Sequence, residues 1–261
     1  MTTRGWEAIE GPCGSLMVHL AAGGPSAGGM GSAPPGPSSA VVLVHDFPAE
    51  EASAGRTGRS LPVLADRVAS ESGWRVLAGC LRGVGGSSGD FSLCGWMDDL
   101  EVLAGRAADM AAGGGVWLVG FGVGGSLSLA VAAHDARIRG VGCLGSPATF
   151  ADWGHDPASM VEAARRVGVV HSPGFPFDLP AWAGEFSELR PVEAAASLGQ
   201  RPLLLVHGAD DDDVPVSDAR QLAEAAGSRA ELHVLPGAGH RLRADPRAMA
   251  LLVGWLERQG P

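Results

Sequence analysis

The run Asp210–Asp213 in LLLVHGADDDDVPVSDA and His240 in LPGAGHRLRADP are the residues of this chain best suited by type and spacing to chemistry. A carboxylate beside an imidazole fixes the ring's tautomer and lets it move a proton, which is general acid–base work. Such a pair commonly serves a nucleophile. The stretch VGFGVGGSL, Val119–Leu127, is where one would stand, since an apolar run turns there into a helical pattern. Its residues at the turn are Gly120, Gly122 and Gly124, and the first hydroxyl after them is Ser126. Four adjacent aspartates could attract a hard cation, but neighbouring residues seldom converge on one ion and no EF-hand spacing is present. Cys13, Cys80, Cys94 and Cys143 are scattered without a C-x-x-C pair, which points to neither a zinc knuckle nor a redox pair. No metal and no cofactor is expected.

The elements that must hold these residues read as an alternation. Apolar runs at Leu16–Leu20, Val41–His45, Arg75–Leu77, Val116–Val119, Val141–Leu144, Leu203–His207 and Leu232–Leu235 are bounded by turn residues. The central ones lack polar alternation, as strands covered on both faces do. Helical spacing falls between them, at Leu61–Ser70, Trp96–Ala108, Val216–Ala226 and Pro246–Gln259. The last is opened by Asp245 as N-cap with proline behind it. Alternating strands and helices predict an α/β doubly wound, mostly parallel sheet with helices on both faces. Met110–Ala133 is uncharged and long enough to cross a bilayer, but its glycines would each cost about 1 kcal/mol in a helix interior. Strand, turn and helix are expected there instead.

Two segments interrupt the alternation. The low-complexity stretch 21–39, rich in Gly, Pro, Ser and Ala, predicts a mobile loop. The stretch 152–198 has no clear strand, and Pro173, Pro176 and Pro180 divide it into short pieces. It is expected to form a helical cap inserted in a single domain spanning 1–261, with Trp153, Phe175, Phe177, Trp182 and Phe186 walling a pocket.

Composition bounds the partners. The chain of 261 residues is 46% hydrophobic and 18% charged, and it carries 40 glycines and no lysine or tyrosine. It can bury a sizeable core. A formal net charge of -10 argues against nucleic acid and anionic membranes as partners. The N-terminal MTTRGWEAIEGPCG has no apolar core of a signal peptide, so a cytoplasmic protein is expected.

Four motifs in order resemble the α/β-hydrolase superfamily, in particular serine aminopeptidases and carboxylesterases, from about Gly11 to the C-terminal helix. VVLVHDF, Val41–Phe47, matches the strand ending in His-Gly, with Asp46 in place of the glycine. The resemblance implies an oxyanion hole made by the N–H groups of Phe47 and Val123, with His45 as a structural residue. A carboxylate at Asp46 opposes the charge that must develop in such a hole. RGVGGSSGDF, Arg82–Phe91, is similar to the family's glycine-rich loop on the floor of the site. VWLVGFGVGGSL matches the nucleophile elbow G-x-S-x-G, with Gly122 where the serine belongs. The strand followed by G-x-x-D-x-x-V-P places the acid at Asp211, and the last motif places the base at His240. Asp210, Asp212 and Asp213 are then loop carboxylates.

The order Gly122, Asp211, His240 is the family's Ser, Asp, His order with its first member blank. The resemblance therefore implies a non-catalytic or weakly active relative of serine esterases and peptidases. Its expected partner is a small apolar or ester-like molecule, or an ester or amide substrate. The alternative is an active hydrolase or lyase-type enzyme that uses His240 and Asp211 as general base on water or on a substrate proton. A further alternative is a shifted register, Gly124-Gly125-Ser126, with Ser126 as displaced nucleophile.

Overall fold

The structure, a computed structural model, describes residues 5–22, 39–50, 53–111 and 113–260. The stretch 21–39 expected as a loop falls, apart from its ends, outside the described residues.

Valine- and leucine-rich runs build the middle of the sheet: β3 (Ala40–Val44), β4 (Arg75–Cys80), β5 (Val116–Phe121), β6 (Ile138–Leu144) and β7 (Leu203–Gly208). Every residue of β3, β5 and β7 is buried, as helices on both faces require. On one side the sheet is extended by β2 (Gly14–Ala21) and β1 (Trp6–Gly11), on the other by β8 (Ala230–Leu235). The strand order is β1-β2-β4-β3-β5-β6-β7-β8, antiparallel at β1–β2 and β2–β4 and parallel elsewhere. The strand β1 is absent from the expected set. WEAIEG keeps Trp6, Ile9 and Gly11 partly buried among exposed neighbours, the mark of an edge strand held by its hairpin to β2.

The helices are α1 (Ala54–Ser72), α2 (Leu93–Met110), α3 (Val123–His134), α4 (Pro157–Val167), α5 (Leu179–Glu188), α6 (Pro191–Ala196), α7 (Val216–Ala226) and α8 (Pro246–Gln259). α1 packs on α8, while α2, α3, α6 and α7 pack in succession. α1 begins seven positions before the expected Leu61. Pro62, which suggests a helix start, lies inside it and is carried there by the buried Leu61, Ala65, Val68 and Ala69. The uncharged stretch from Met110 resolves into β5, a sharp turn and α3, and no helix among the described residues is long and apolar enough to cross a membrane.

The order of strands decides where a site can form. From β3 the chain crosses to β4 on one side, then from β4 to β5 on the other side of β3. At such a reversal the connections diverge and leave a crevice at the carboxyl ends of the two strands. The chain leaves β3 through His45 and Asp46, and leaves β5 through Gly122. The loops after β7 and β8, carrying Asp211 and His240, end at the same edge.

Candidate active site

At the end of β3, His45 is buried between strands. Its Nε2 accepts a hydrogen bond from the Leu81 N–H at 3.0 Å, so Nδ1 carries the proton and donates to the Asp46 carbonyl at 2.8 Å. Burial pulls its pKa down to about 4, outweighing the nearby carboxylates, so the ring is neutral. It fixes the direction in which Asp46 and Phe47 leave the sheet.

At the end of β5 the backbone turns at Gly122 with φ 50° and ψ -123°, and α3 starts at Val123. A side chain is strained at that φ. Gly120 and Gly124 are required by close approach, because a Cβ on Gly120 would run into the Gly124 backbone and one on Gly124 into the His45 carbonyl. A Cβ on Gly122 would run into the Asp46 carboxylate.

Asp46 is thus the group that faces the turn. Its Oδ1 accepts hydrogen bonds from the Phe47 N–H at 2.7 Å and the Val123 N–H at 2.9 Å. Its Oδ2 lies 2.8 Å from His240 Nε2. On the other side of the ring, Nδ1 lies 2.9 Å from Asp211 Oδ2. The Asp211 side chain is wholly buried, and its Oδ1 accepts from the N–H groups of Asp213 at 3.0 Å and Val214 at 2.9 Å. His207 stands 3.4 Å from Asp211 Oδ2 and 2.9 Å from the Val214 carbonyl, which closes the loop beneath it. Burial disfavours charge on His240, but the hydrogen bonds and charges of Asp46 and Asp211 outweigh it and raise its pKa to about 9. At neutral pH the ring is an imidazolium between two carboxylates.

The loop Arg82–Phe91 does not line the cleft; it meets the site through Phe91, whose ring lies edge-on to Phe47 at 5.0 Å between centroids. Arg82 donates to Asp99 through Nε at 3.0 Å and Nη2 at 2.8 Å, and its backbone N–H binds the same carboxylate at 2.8 Å. Trp96 Nε1 donates to the Arg82 carbonyl at 2.9 Å, so α2 holds the loop in place.

A cleft of about 350 Å³ opens beside Gly122 and His240. Asp46, Phe47, Phe121 and the arginines Arg56, Arg241 and Arg243 are among its walls. Glu50 bridges Arg56 and Arg241 across its mouth. The five cap aromatics expected as pocket walls are placed elsewhere. Trp182 and Phe186 are buried in a cluster with Phe91, Trp96, Phe150 and Trp153, and Trp182 Nε1 donates to the Phe91 carbonyl at 3.0 Å. Trp153 meets Phe47 edge-on at 5.1 Å between centroids, which brings the segment between β6 and β7 to the site. Phe177 is 88% exposed, against Phe175. Trp153, Trp182 and Phe186 leave the cleft because they pack against Phe91 and one another and so fasten the short helices ahead of α2. Ser126 is also away from it: fully buried in α3, it donates to the Pro147 carbonyl at 2.6 Å.

Sequence reasoning flagged Asp46 as a disturbance but missed it as the partner of His240. The only signal was its place between His45 and Phe47. The arginines were missed as well, though Arg241 and Arg243 adjoin His240 in HRLR.

Residues 116–260, more than half of the chain, match the model of the prolyl oligopeptidase family. The chain belongs to the prolyl oligopeptidase family. The matched part of this family member runs from β5 to α8 and holds Gly122, Asp211 and His240, whereas Asp46 lies before it. Solved structures similar over nearly their whole length are α/β-hydrolases. An alpha-beta serine hydrolase homologue from Coxiella burnetii has TM-score 0.61 at 19% identity, covering 100% of this chain and 99% of that one. Est1E from Butyrivibrio proteoclasticus, with ferulic acid bound, has TM-score 0.70 at 16% identity, covering 97% of each chain. The meta-cleavage product hydrolase CumD from Pseudomonas fluorescens has TM-score 0.65 at 20% identity, covering 97% and 98%. The family member thus has the α/β-hydrolase fold, with a mostly parallel sheet of eight strands among the described residues.

Proposed function

We propose that this prolyl oligopeptidase family member is a non-acylating relative of the serine esterases and peptidases. Gly122 occupies the nucleophile position without a hydroxyl, and the cleft beside it receives a small ester-like molecule. One observation carries the reading: the Asp46 carboxylate sits on both N–H groups that would hold a substrate oxyanion, and on His240 as well. A developing oxyanion would have to displace a charged group from donors it already satisfies. Losing even one such donor costs roughly 10²–10³ in rate.

His240 as a general base on water, with Asp211 behind it, is the second reading. A base must be free of its proton, and a pKa raised to about 9 keeps His240 protonated at neutral pH while Asp46 faces it. Ser126 as nucleophile would first have to leave the Pro147 carbonyl and the interior of α3. The purified protein is therefore expected to take no label from a fluorophosphonate probe and to show no burst on p-nitrophenyl esters. Covalent labelling, or burst kinetics with a p-nitrophenyl ester, would overturn the proposal.

A further inference from the structure

Nothing at the elbow accounts for Arg56, Arg241 and Arg243 in the walls of the cleft. We propose that these arginines form a carboxylate-recognition site, and that the molecule received beside Gly122 is a half-ester of a dicarboxylic acid, its free carboxylate held by Arg243 and by the fork of Arg56 and Arg241. This rests on the reading of the cleft as the place of a small ester-like molecule, and it names the class of that molecule.

The cleft already holds a carboxylate in this manner. Arg56 Nη2 donates to Glu50 Oε2 at 2.6 Å, and Arg241 Nη2 donates to Glu50 Oε1. Each oxygen thus receives its own charge-assisted hydrogen bond, from a planar donor group suited to a planar anion. The hydrogen bond and charge of Arg241, with the charge of Arg56, hold the Glu50 carboxyl below the usual carboxylate range, so it stays charged. Yet the Glu50 side chain is 47% exposed, and ion pairs this open to water hold weakly. Glu50 is an occupant that a ligand carboxylate can replace.

Arg243 is the cation left over. Whereas Arg56 and Arg241 are paired, Arg243 has no carboxylate partner among the described residues. It lines the same cleft, and Leu242, buried between Arg241 and Arg243, anchors the turn that carries both. Its charge reaches His45 at the end of β3, where it adds to the effect of burial in lowering the pKa of that ring.

Charge and surface select the ligand. In a chain of formal net charge -10, guanidiniums gathered at one cleft make a local place for an anion. Asp46 and the exposed Asp213 line the cleft too, which favours the single charge of a carboxylate over the double charge of a phosphate monoester. Phe47 and Phe121 give an apolar wall to the part of the molecule that joins carboxylate and ester.

The test is titration calorimetry of the intact protein at neutral pH with monomethyl terephthalate, a half-ester, and with methyl 4-carbamoylbenzoate, a neutral amide of the same shape. The half-ester is expected to bind about tenfold more tightly than the amide, with the difference shrinking as salt is raised. Arg243→Gln should remove most of that difference. Glu50→Gln should strengthen half-ester binding about threefold, because the resident carboxylate no longer competes. Both variants should bind the amide as the wild type does. Equal binding of the two probes to the wild type overturns the proposal, as does weaker half-ester binding in Glu50→Gln or an undiminished preference in Arg243→Gln. Tighter binding of methyl 4-(phosphonooxy)benzoate than of the half-ester overturns the choice of a carboxylate. Binding of neither probe sinks the ester-like reading of the cleft together with this proposal, whereas fluorophosphonate labelling strikes the non-acylating reading alone. The comparison of probes on the wild type needs no variant, so a misfolded mutant cannot decide the matter.

Discussion

At the scale of single residues, the site turns on the contact between Asp46 and Gly122. A hydroxyl placed at position 122 has no room, because its Cβ would meet the Asp46 carboxylate and its backbone would be strained at φ 50°. Gly122→Ser alone is therefore expected to lose about 1–3 kcal/mol of stability in chemical denaturation and to gain no esterase activity. Gly122→Ser combined with Asp46→Gly removes the obstruction and frees both N–H donors. That double variant should hydrolyse short p-nitrophenyl esters and take a fluorophosphonate at residue 122. His240 links the same contact to pH. Its pKa is raised from 6.5 to about 9 by carboxylates that outweigh the effect of burial, so the folded state gains stability from holding its proton. That contribution is fully present below 6.5 and is lost as pH rises through about 9. Tm of the wild type should fall across this window relative to Tm of His240→Gln.

At the scale of elements, the loop after β4, which packs on Phe47 through Phe91, depends on how α2 holds it. The Arg82–Asp99 pair is nearly out of solvent, and Asp99 also receives the backbone N–H of Arg82. Asp99→Ala would leave the buried guanidinium with only the exposed Asp98 carboxylate at 3.8 Å, and a loss of about 3 kcal/mol in urea unfolding is expected. Strands and helices of this kind were legible in the sequence where burial and period agree. Val41–His45 and Leu203–His207 are uninterrupted apolar runs, and α7 and α8 match the expected bounds residue for residue. The start of α1 was not legible, because Pro62 reads as a helix beginning and only packing overrules it. The partners of Asp46 were not legible either. Phe47 is its neighbour in sequence, but Val123 and His240 come to it only through the strand order that sets β3 beside β5 and gathers the loop ends at one edge.

At the scale of the whole molecule, the stretch between β6 and β7 is fastened by its aromatics rather than lined with them for a ligand. Trp182 is buried against Phe91 and Phe186, whereas Phe177 is exposed. Trp182→Ala is expected to cost about 3–5 kcal/mol, and Phe177→Ser less than about 0.5 kcal/mol, by thermal or urea unfolding. The cleft is walled instead by the loops after β3 and β8 and the start of α1, where Phe47, Phe121 and Leu242 stand together with charged and hydroxyl side chains. Everything at that cleft follows from a carboxylate seated at the elbow and bonded to the imidazole. The most direct measurement is an NMR titration of the His240 ring in the wild type and in Asp46→Asn. The account predicts a ring that stays doubly protonated until pH about 9 in the wild type and loses its proton at distinctly lower pH once the Asp46 charge is removed. A ring that titrates near 6.5 in both proteins would contradict it.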